Sequence, residues 1–146
     1  MKKRLGPSDA LFPVPAALIV SGVEDDVNII TIAWIGIASS TPPTIGISVR
    51  KTRHSLKLIK LYREFSVNIP PAAYLKEVDY CGITTGQKRR KFTDTGFTPV
   101  ASMKIKPPII KECPYNIECK VTHEITIGDW TLVLGEIVET HVDEDK

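Results

Sequence analysis

The sequence predicts a mostly-β domain with short helices, its strands folded antiparallel into a barrel. Three observations carry that expectation. Apolar and polar residues alternate at Phe65, Ser66, Val67, Asn68 and Ile69, and again from Tyr115 to Thr122. The turns are short, with Gly128-Asp129 and Pro42-Pro43 separating apolar runs. Helical patterns are too few to follow nearly every strand, as a βαβ array requires.

The elements follow in order. Residues 17–23 form an apolar β-type run, and Glu24-Asp25-Asp26 makes a polar turn. Residues 28–38 form a second run rich in Ile, broken off by Pro42-Pro43. Residues 44–50 are a third strand. Leu58, Leu61, Tyr62 and Phe65 fall at helical spacing, so residues 55–64 read as a helix with Lys57, Lys60 and Arg63 facing elsewhere. Residues 65–69 are a half-buried strand stopped by Pro70-Pro71. Residues 74–81 predict a second helix ending at Gly82, and residues 86–96 are polar and loop-like. The alternating strand beginning at Tyr115 turns at Gly128-Asp129 and returns over residues 130–138.

Composition bounds the function. A chain of 146 residues is long enough for one domain with a real core, and the whole of 1–146 reads as that domain. A formal charge of +2 and a pI near 8.4 argue against nucleic acid as a partner. No stretch is apolar and long enough to span a membrane as a helix. The opening MKKRLGPSDALFPVPAALIV begins like a signal peptide, but Pro7, Asp9, Pro13 and Pro15 interrupt it, so it reads as mature sequence. Cys81, Cys113 and Cys119 lack the spacing of a zinc site or disulfide scaffold, which fits a reducing, cytoplasmic setting. Eleven prolines restrict the unfolded chain, a feature of heat-tolerant proteins.

Three stretches carry candidate chemistry. In ISVRKTRHSLKLIK, a strand ends at Arg50 and a helix begins near Ser55. Unpaired N–H groups at a helix start, joined by Arg50, Arg53 and the Ser55 hydroxyl, make a phosphate seat. The plain alternative is a solvated basic turn in which Thr52 or Ser55 caps the helix. In NIITIAWIGIASSTPP, the small residues Ala33, Gly36 and Ala38 let a flat ligand approach the backbone. The alternative there is a buried strand with Trp34 as a core aromatic. In CGITTGQKRRKF, Thr84, Thr85 and Gly86 form a turn before a basic run that also reads as merely solvated.

Taken jointly and in order, these pieces resemble the flavin reductase-like family with the FMN-binding split β-barrel fold, near the flavoredoxin group. The matching pieces are Pro13-Val14-Pro15, NIITIAW, Pro42-Pro43, ISVRKTRHS, FSVNIP, DYCGITTG with Lys91-Phe92, NIECKV, and GDW followed by LGEIVE. They span nearly the whole chain. The resemblance implies a Greek-key antiparallel barrel, a homodimer, and FMN at the dimer interface. It implies that Thr31, Ile32, Ala33 and Trp34 line the isoalloxazine. Ser48, Val49, Arg50, Arg53, His54 and Ser55 would serve the ribityl chain and phosphate. Thr85, Gly86 and Lys91 would close over the cofactor, with Lys91 a candidate to stabilise anionic reduced flavin at its N1–C2=O end.

The chain also departs from the family pattern. Trp130 follows Gly128-Asp129 where many members have His, and Arg90 precedes Lys91 where many have Asp. Members usually continue past the GEIVE strand, so the expectation is a member lacking the usual C-terminal segment. Three functions stand open on this reading: NADH- or NADPH-dependent flavin reduction, an FMN electron carrier without efficient nicotinamide oxidation, and a small-barrel binding module. No residue pattern names the electron acceptor. Trp130 either crowds the nicotinamide side of the flavin or packs across the hairpin from Ile125 or Ile127.

Overall fold

In the computed structural model, which describes residues 1–84 and 91–145, the apolar stretch 28–38 is two strands rather than one. β1 (Ala17–Ser21) is followed by β2 (Asn28–Ile32), β3 (Ile35–Ser40) and β4 (Pro43–Arg50). Helix α1 (His54–Tyr62) leads into β5 (Glu64–Ile69). Then come α2 (Leu75–Ile83), α3 (Lys91–Thr95), β6 (Pro99–Val100) and β7 (Ile109–Ile110). A long hairpin of β8 (Tyr115–Ile127) and β9 (Trp130–Val142) ends the fold. No helix among the described residues is long and apolar enough to cross a membrane.

Seven strands form one antiparallel sheet in the order β2-β1-β5-β8-β9-β4-β3. Its two edges, β2 and β3, are consecutive in the chain and are not paired with each other. The chain crosses between them at Ala33-Trp34, which explains why one continuous apolar run is two strands. The sheet curls so that Ile30 and Ile32 of β2 share one core with Ile47 and Val49 of β4 and Phe65 of β5. It does not close, and the fold is a split β-barrel. At the seam between β2 and β4, Ser48 N donates to Trp34 O at 3.0 Å, which carries the β3–β4 pairing one step past Ile35 and Ile47 and holds the crossing segment beside β4.

Packing follows from which faces are covered. β1 is buried along its whole length, so it shows no alternation. Its inner face joins the barrel core. Leu18 and Val20, on its outer face, pack with Ile29, Cys81, Phe97 and Ile110 under α2, α3 and β7. Leu56 and Ile59 of α1 enter the barrel core. The helix stops at Arg63, whose left-handed backbone (φ 61°) returns its N–H to Ile59 O at 2.8 Å. Gly135 is required on β9, because a Cβ there would lie 2.8 Å from the ring of Phe65.

Three expectations change. β5 is buried on both faces rather than half-buried: Ser66 Oγ donates to Pro108 O, and Asn68 Oδ1 accepts from Ile110 N. Residues 91–95 are helical instead of loop-like, while 85–90, with Thr85 and Gly86, lie outside the described residues. The returning strand β9 runs on to Val142. Cys113 and Cys119, both free, sit in different core clusters.

Candidate functional site

The seam leaves two adjoining cavities of about 270 Å³ each, which share Ile30 and Arg53. Together they fall within the roughly 300–1,000 Å³ of small-molecule sites. The first is a cleft between the β2 edge and β4. Thr31, Ile32, Ala33, Trp34, Ser48, Arg50 and Arg53 line it, with Ile30, Gly82 and Trp130. The second is polar, with Arg53, His54, Ser55 and Lys91 joined by Asn28, Thr52, Ile83 and Thr84.

The cleft has a flat aromatic side and an open backbone side. Trp34, 38% exposed, leaves the core that a lone strand Trp would normally join. Its ring centroid lies 4.6 Å from that of Trp130, with the planes tilted by 43°. Trp130 sits in register with both Arg50 and Ile127, so it faces the cleft and the hairpin tip at once. On the other side, Lys91 Nζ reaches Ile29 O of edge strand β2. Backbone groups alternate sides along an edge strand, so Thr31 shares that unpaired side with Ile29. The Thr31 hydroxyl donates to Val78 O, and Gly82 lets α2 approach Thr31 closely.

The second cavity is built for an anion. Arg53 is the N-cap of α1 and no side chain caps that helix, so its first N–H groups have no side-chain acceptor. Ser55, which could have capped it, is fully buried and accepts from Asn28 Nδ2 at 2.8 Å. Arg53 donates to Gly82 O at 2.9 Å and Cys81 O at 3.4 Å, and Lys91 donates to the same Cys81 O at 2.9 Å. Two cations thus meet at the C-terminal carbonyls of α2. Among the described residues no ion pair neutralises either one. Burial and then Arg50 lower Arg53. Burial, with Lys57 and Lys91 adding to it, lowers His54. Burial pushes Lys91 down to about 8. Asn28 Oδ1 and His54 Nδ1 are buried and have no hydrogen-bond partner among the described residues.

Of the residues expected from sequence, one differs plainly in place. Val49 points into the barrel core at 1% exposure, opposite Thr131. Lys91 lies in the polar cavity and does not line the aromatic cleft. Sequence reasoning missed Asn28, Ile30, Gly82 and Ile83 as site residues, and named Thr52 only as a possible helix cap and Thr84 only as part of a turn. Asn28 and Ile30 had a signal in the two-residue period of β2, which places them on one face. The end of α2 had none, because its approach to β2 is a tertiary contact.

The family model described as Flavin reductase like domain matches residues 9–146. An uncharacterized protein of Archaeoglobus fulgidus is 41% identical over 137 residues, covering 93% of this chain and 77% of that protein. Among solved structures, the flavoredoxin of Desulfovibrio vulgaris (Miyazaki F) is similar at a TM-score of 0.92 and 37% identity. That likeness covers 99% of this chain and 78% of the other. The flavoredoxin of Methanosarcina acetivorans is similar at a TM-score of 0.87 and 28% identity, covering 98% and 77%.

Proposed function

This chain belongs to the flavin reductase like domain family, and on that footing we propose that it holds FMN across the two cavities and serves as an NADH- or NADPH-dependent flavin oxidoreductase. A flavin-binding role of oxidoreductase type follows from the family and its flavoredoxin neighbours. The observation that supports FMN as the ligand is the pairing of the two cavities. A flat, aromatic-walled cleft adjoins a buried cationic seat at a distance of one shared arginine.

The residues present fit that cofactor. Trp34, Ala33 and the open edge at Thr31 offer a flat surface and backbone hydrogen-bonding groups to a ring system. Ser48 and Arg50 flank the passage toward α1. Arg53, Ser55 and the start of α1 offer hydrogen bonds and positive charge to an anion, and no carboxylate among the described residues pairs with Arg53. FMN, when bound, supplies reversible redox chemistry, while the chain contributes binding, orientation and electrostatics. None of the described side chains is arranged as a nucleophile: burial pushes the Cys81 thiol up to about 11. The test is direct. The purified protein should bind FMN with a flavin absorbance spectrum, and anaerobic NADH or NADPH should bleach it. A protein that takes up no flavin would sink the reading.

Trp130 favours a second reading. Its indole fills part of the cleft wall where a ring-shaped reductant would approach. That supports an electron carrier that reacts sluggishly with nicotinamides. FMN-loaded protein bleached by dithionite but only slowly by NADH and NADPH would select it.

We further propose a homodimer with FMN near its interface. The outer face of the β8–β9 hairpin is apolar at Ile125, Ile127, Leu132 and Leu134, and runs on into the cleft through Trp130. Ile125 and Ile127 are 46% and 66% exposed, an exposure that a two-fold contact would cover. Light scattering should give a dimer, and Ile127→Asp should shift it toward monomer. A parent monomer that binds FMN tightly would contradict the proposal.

A further inference from the structure

Lys91 opens α3 and is 2% exposed, yet no carboxylate among the described residues pairs with it. Its Nζ donates to Ile29 O at 2.6 Å and to Cys81 O at 2.9 Å. A neutral amine has two N–H groups, and these two carbonyls use both. An ammonium has a third, and no further acceptor among the described residues takes it. The cationic cavity that Lys91 lines is where a ligand could bring such an acceptor.

The charged and titratable groups facing Lys91 do not supply one. Cys81 on α2 stays a thiol, since burial pushes it up to about 11. Arg53, ahead of α1, is itself a cation and lowers Lys91 further. His54 on α1 is held below its ordinary value, by burial first, and is neutral in alkaline solution. Burial is the largest cause of the lowering of Lys91 to about 8.

We propose that Lys91 couples cofactor binding to proton uptake: as an amine it ties β2 to the end of α2, and as an ammonium it turns its third N–H to an anionic phosphate in the cavity. This rests on the reading that the cavity holds the FMN phosphate. The balance is simple: above pH 8, where Nζ is mostly an amine, up to one proton passes from solvent to Nζ for each phosphate seated, and no other bond changes. Lys91 thereby acts on the phosphate end of the site, away from the aromatic cleft.

Calorimetric titration of flavin-free protein at pH 8.5, in buffers of differing ionisation enthalpy, tests the idea. At that pH a phosphate monoester is already a dianion, its second pKa being about 6, so proton uptake reports on the protein. FMN should draw in most of one proton and riboflavin none. FMN affinity should fall about tenfold between pH 8 and pH 9.5 while riboflavin affinity stays flat. Lys91→Arg, which keeps its charge throughout, should bind FMN without taking up a proton. FMN binding more tightly than riboflavin with no proton exchange in the parent would overturn the coupling and leave the phosphate seat standing. Uptake that persists in Lys91→Arg would also overturn it. Equal binding of FMN and riboflavin at every pH would instead defeat the phosphate reading beneath it.

Discussion

Two charged side chains are buried among the described residues, and the chain treats them oppositely. Glu118, on β8, is fully buried and accepts from Met103 N at 2.8 Å, Lys104 N at 2.7 Å and His141 Nε2 at 2.5 Å. Lys91, at the seam, has two carbonyls and a cavity. A buried charge costs several kcal/mol unless it is paired and hydrogen-bonded. Where the chain supplies every partner, as at Glu118, the charge fixes architecture: it pins the segment around Met103 and Lys104 against the sheet. Where the described residues stop short beside an opening, as at Lys91, the proposed FMN phosphate would supply the missing partner. The same contrast holds for amides. Asn68 and Asn116 are satisfied by Leu18 O, Ile110 N and each other, whereas the buried Oδ1 of Asn28, a residue lining the cavity, has no partner among the described residues.

The largest expected effect lies on the satisfied side. Glu118→Ala removes three hydrogen bonds to a charged acceptor, from Met103 N, Lys104 N and His141 Nε2, each worth about 1.5–3 kcal/mol at most and less where water replaces the carboxylate. Urea unfolding should show a loss of about 3 kcal/mol, with FMN affinity of the folded fraction unchanged. Burial pushes the Glu118 carboxyl up, but the hydrogen bonds from Met103, His141 and Lys104 outweigh it, and the net direction is down. A lowered carboxyl contributes stability that is present above its unfolded pKa of about 4.3 and is lost as pH falls through the folded value. Parent stability should therefore drop on acidification, and Glu118→Gln should flatten that slope. An unchanged urea midpoint in Glu118→Ala would remove the distinction between the two buried charges.

Much of this contrast was legible in the sequence, though unevenly. The alternation of β8, the turn at Gly128-Asp129 and the order of the motifs placed the barrel and most of the cleft. The places of Arg50 and Arg53 at the two cavities could be read because a strand-to-helix turn is local, and local geometry is written in adjacent residues. Glu118 looked like an outward polar residue because nothing nearby announces that 101–108 folds over that face. The same blindness hid the full burial of Ser66 and Asn68. The break at Ala33-Trp34 was invisible for a different reason: both halves are apolar, and only the unclosed sheet separates them. Val49 was included by its position in a motif, although period-two alternation with Ser48 and Arg50 already turned it inward.

On the unsatisfied side the next effect is smaller and selective. Arg50 lines the cleft and has an exposed side chain, so Arg50→Ala should leave the fold intact. Removing one charge-assisted hydrogen bond, about 1.5–3 kcal/mol, should weaken FMN about tenfold or more while sparing riboflavin. Arg53→Ala should combine both classes, because that guanidinium also holds Gly82 O and Cys81 O. It should lower the melting temperature as well as FMN affinity. Equal weakening of the two flavins by Arg50→Ala would move the seat away from phosphate.

The smallest effect on stability, and the sharpest on mechanism, is expected at Trp130. Its ring meets Trp34 at 4.6 Å on the cleft wall and also stands opposite Ile127 across the hairpin. Aromatic pairs of this kind contribute about 0.5–1.5 kcal/mol, so Trp130→His should cost at most a few degrees of melting temperature. The two roles then diverge. If the indole shields the nicotinamide side of the cleft, exchange for a smaller ring should speed anaerobic bleaching of bound FMN by NADH or NADPH and leave FMN affinity nearly unchanged. Trp130→Phe, which keeps a flat apolar face, should bleach as slowly as the parent. Stopped-flow traces that coincide for parent and Trp130→His, with only the melting temperature lowered, would reduce Trp130 to a packing residue. The contrast between a sealed core and a ligand-ready seam would then end at Arg50 and not extend to the aromatic wall.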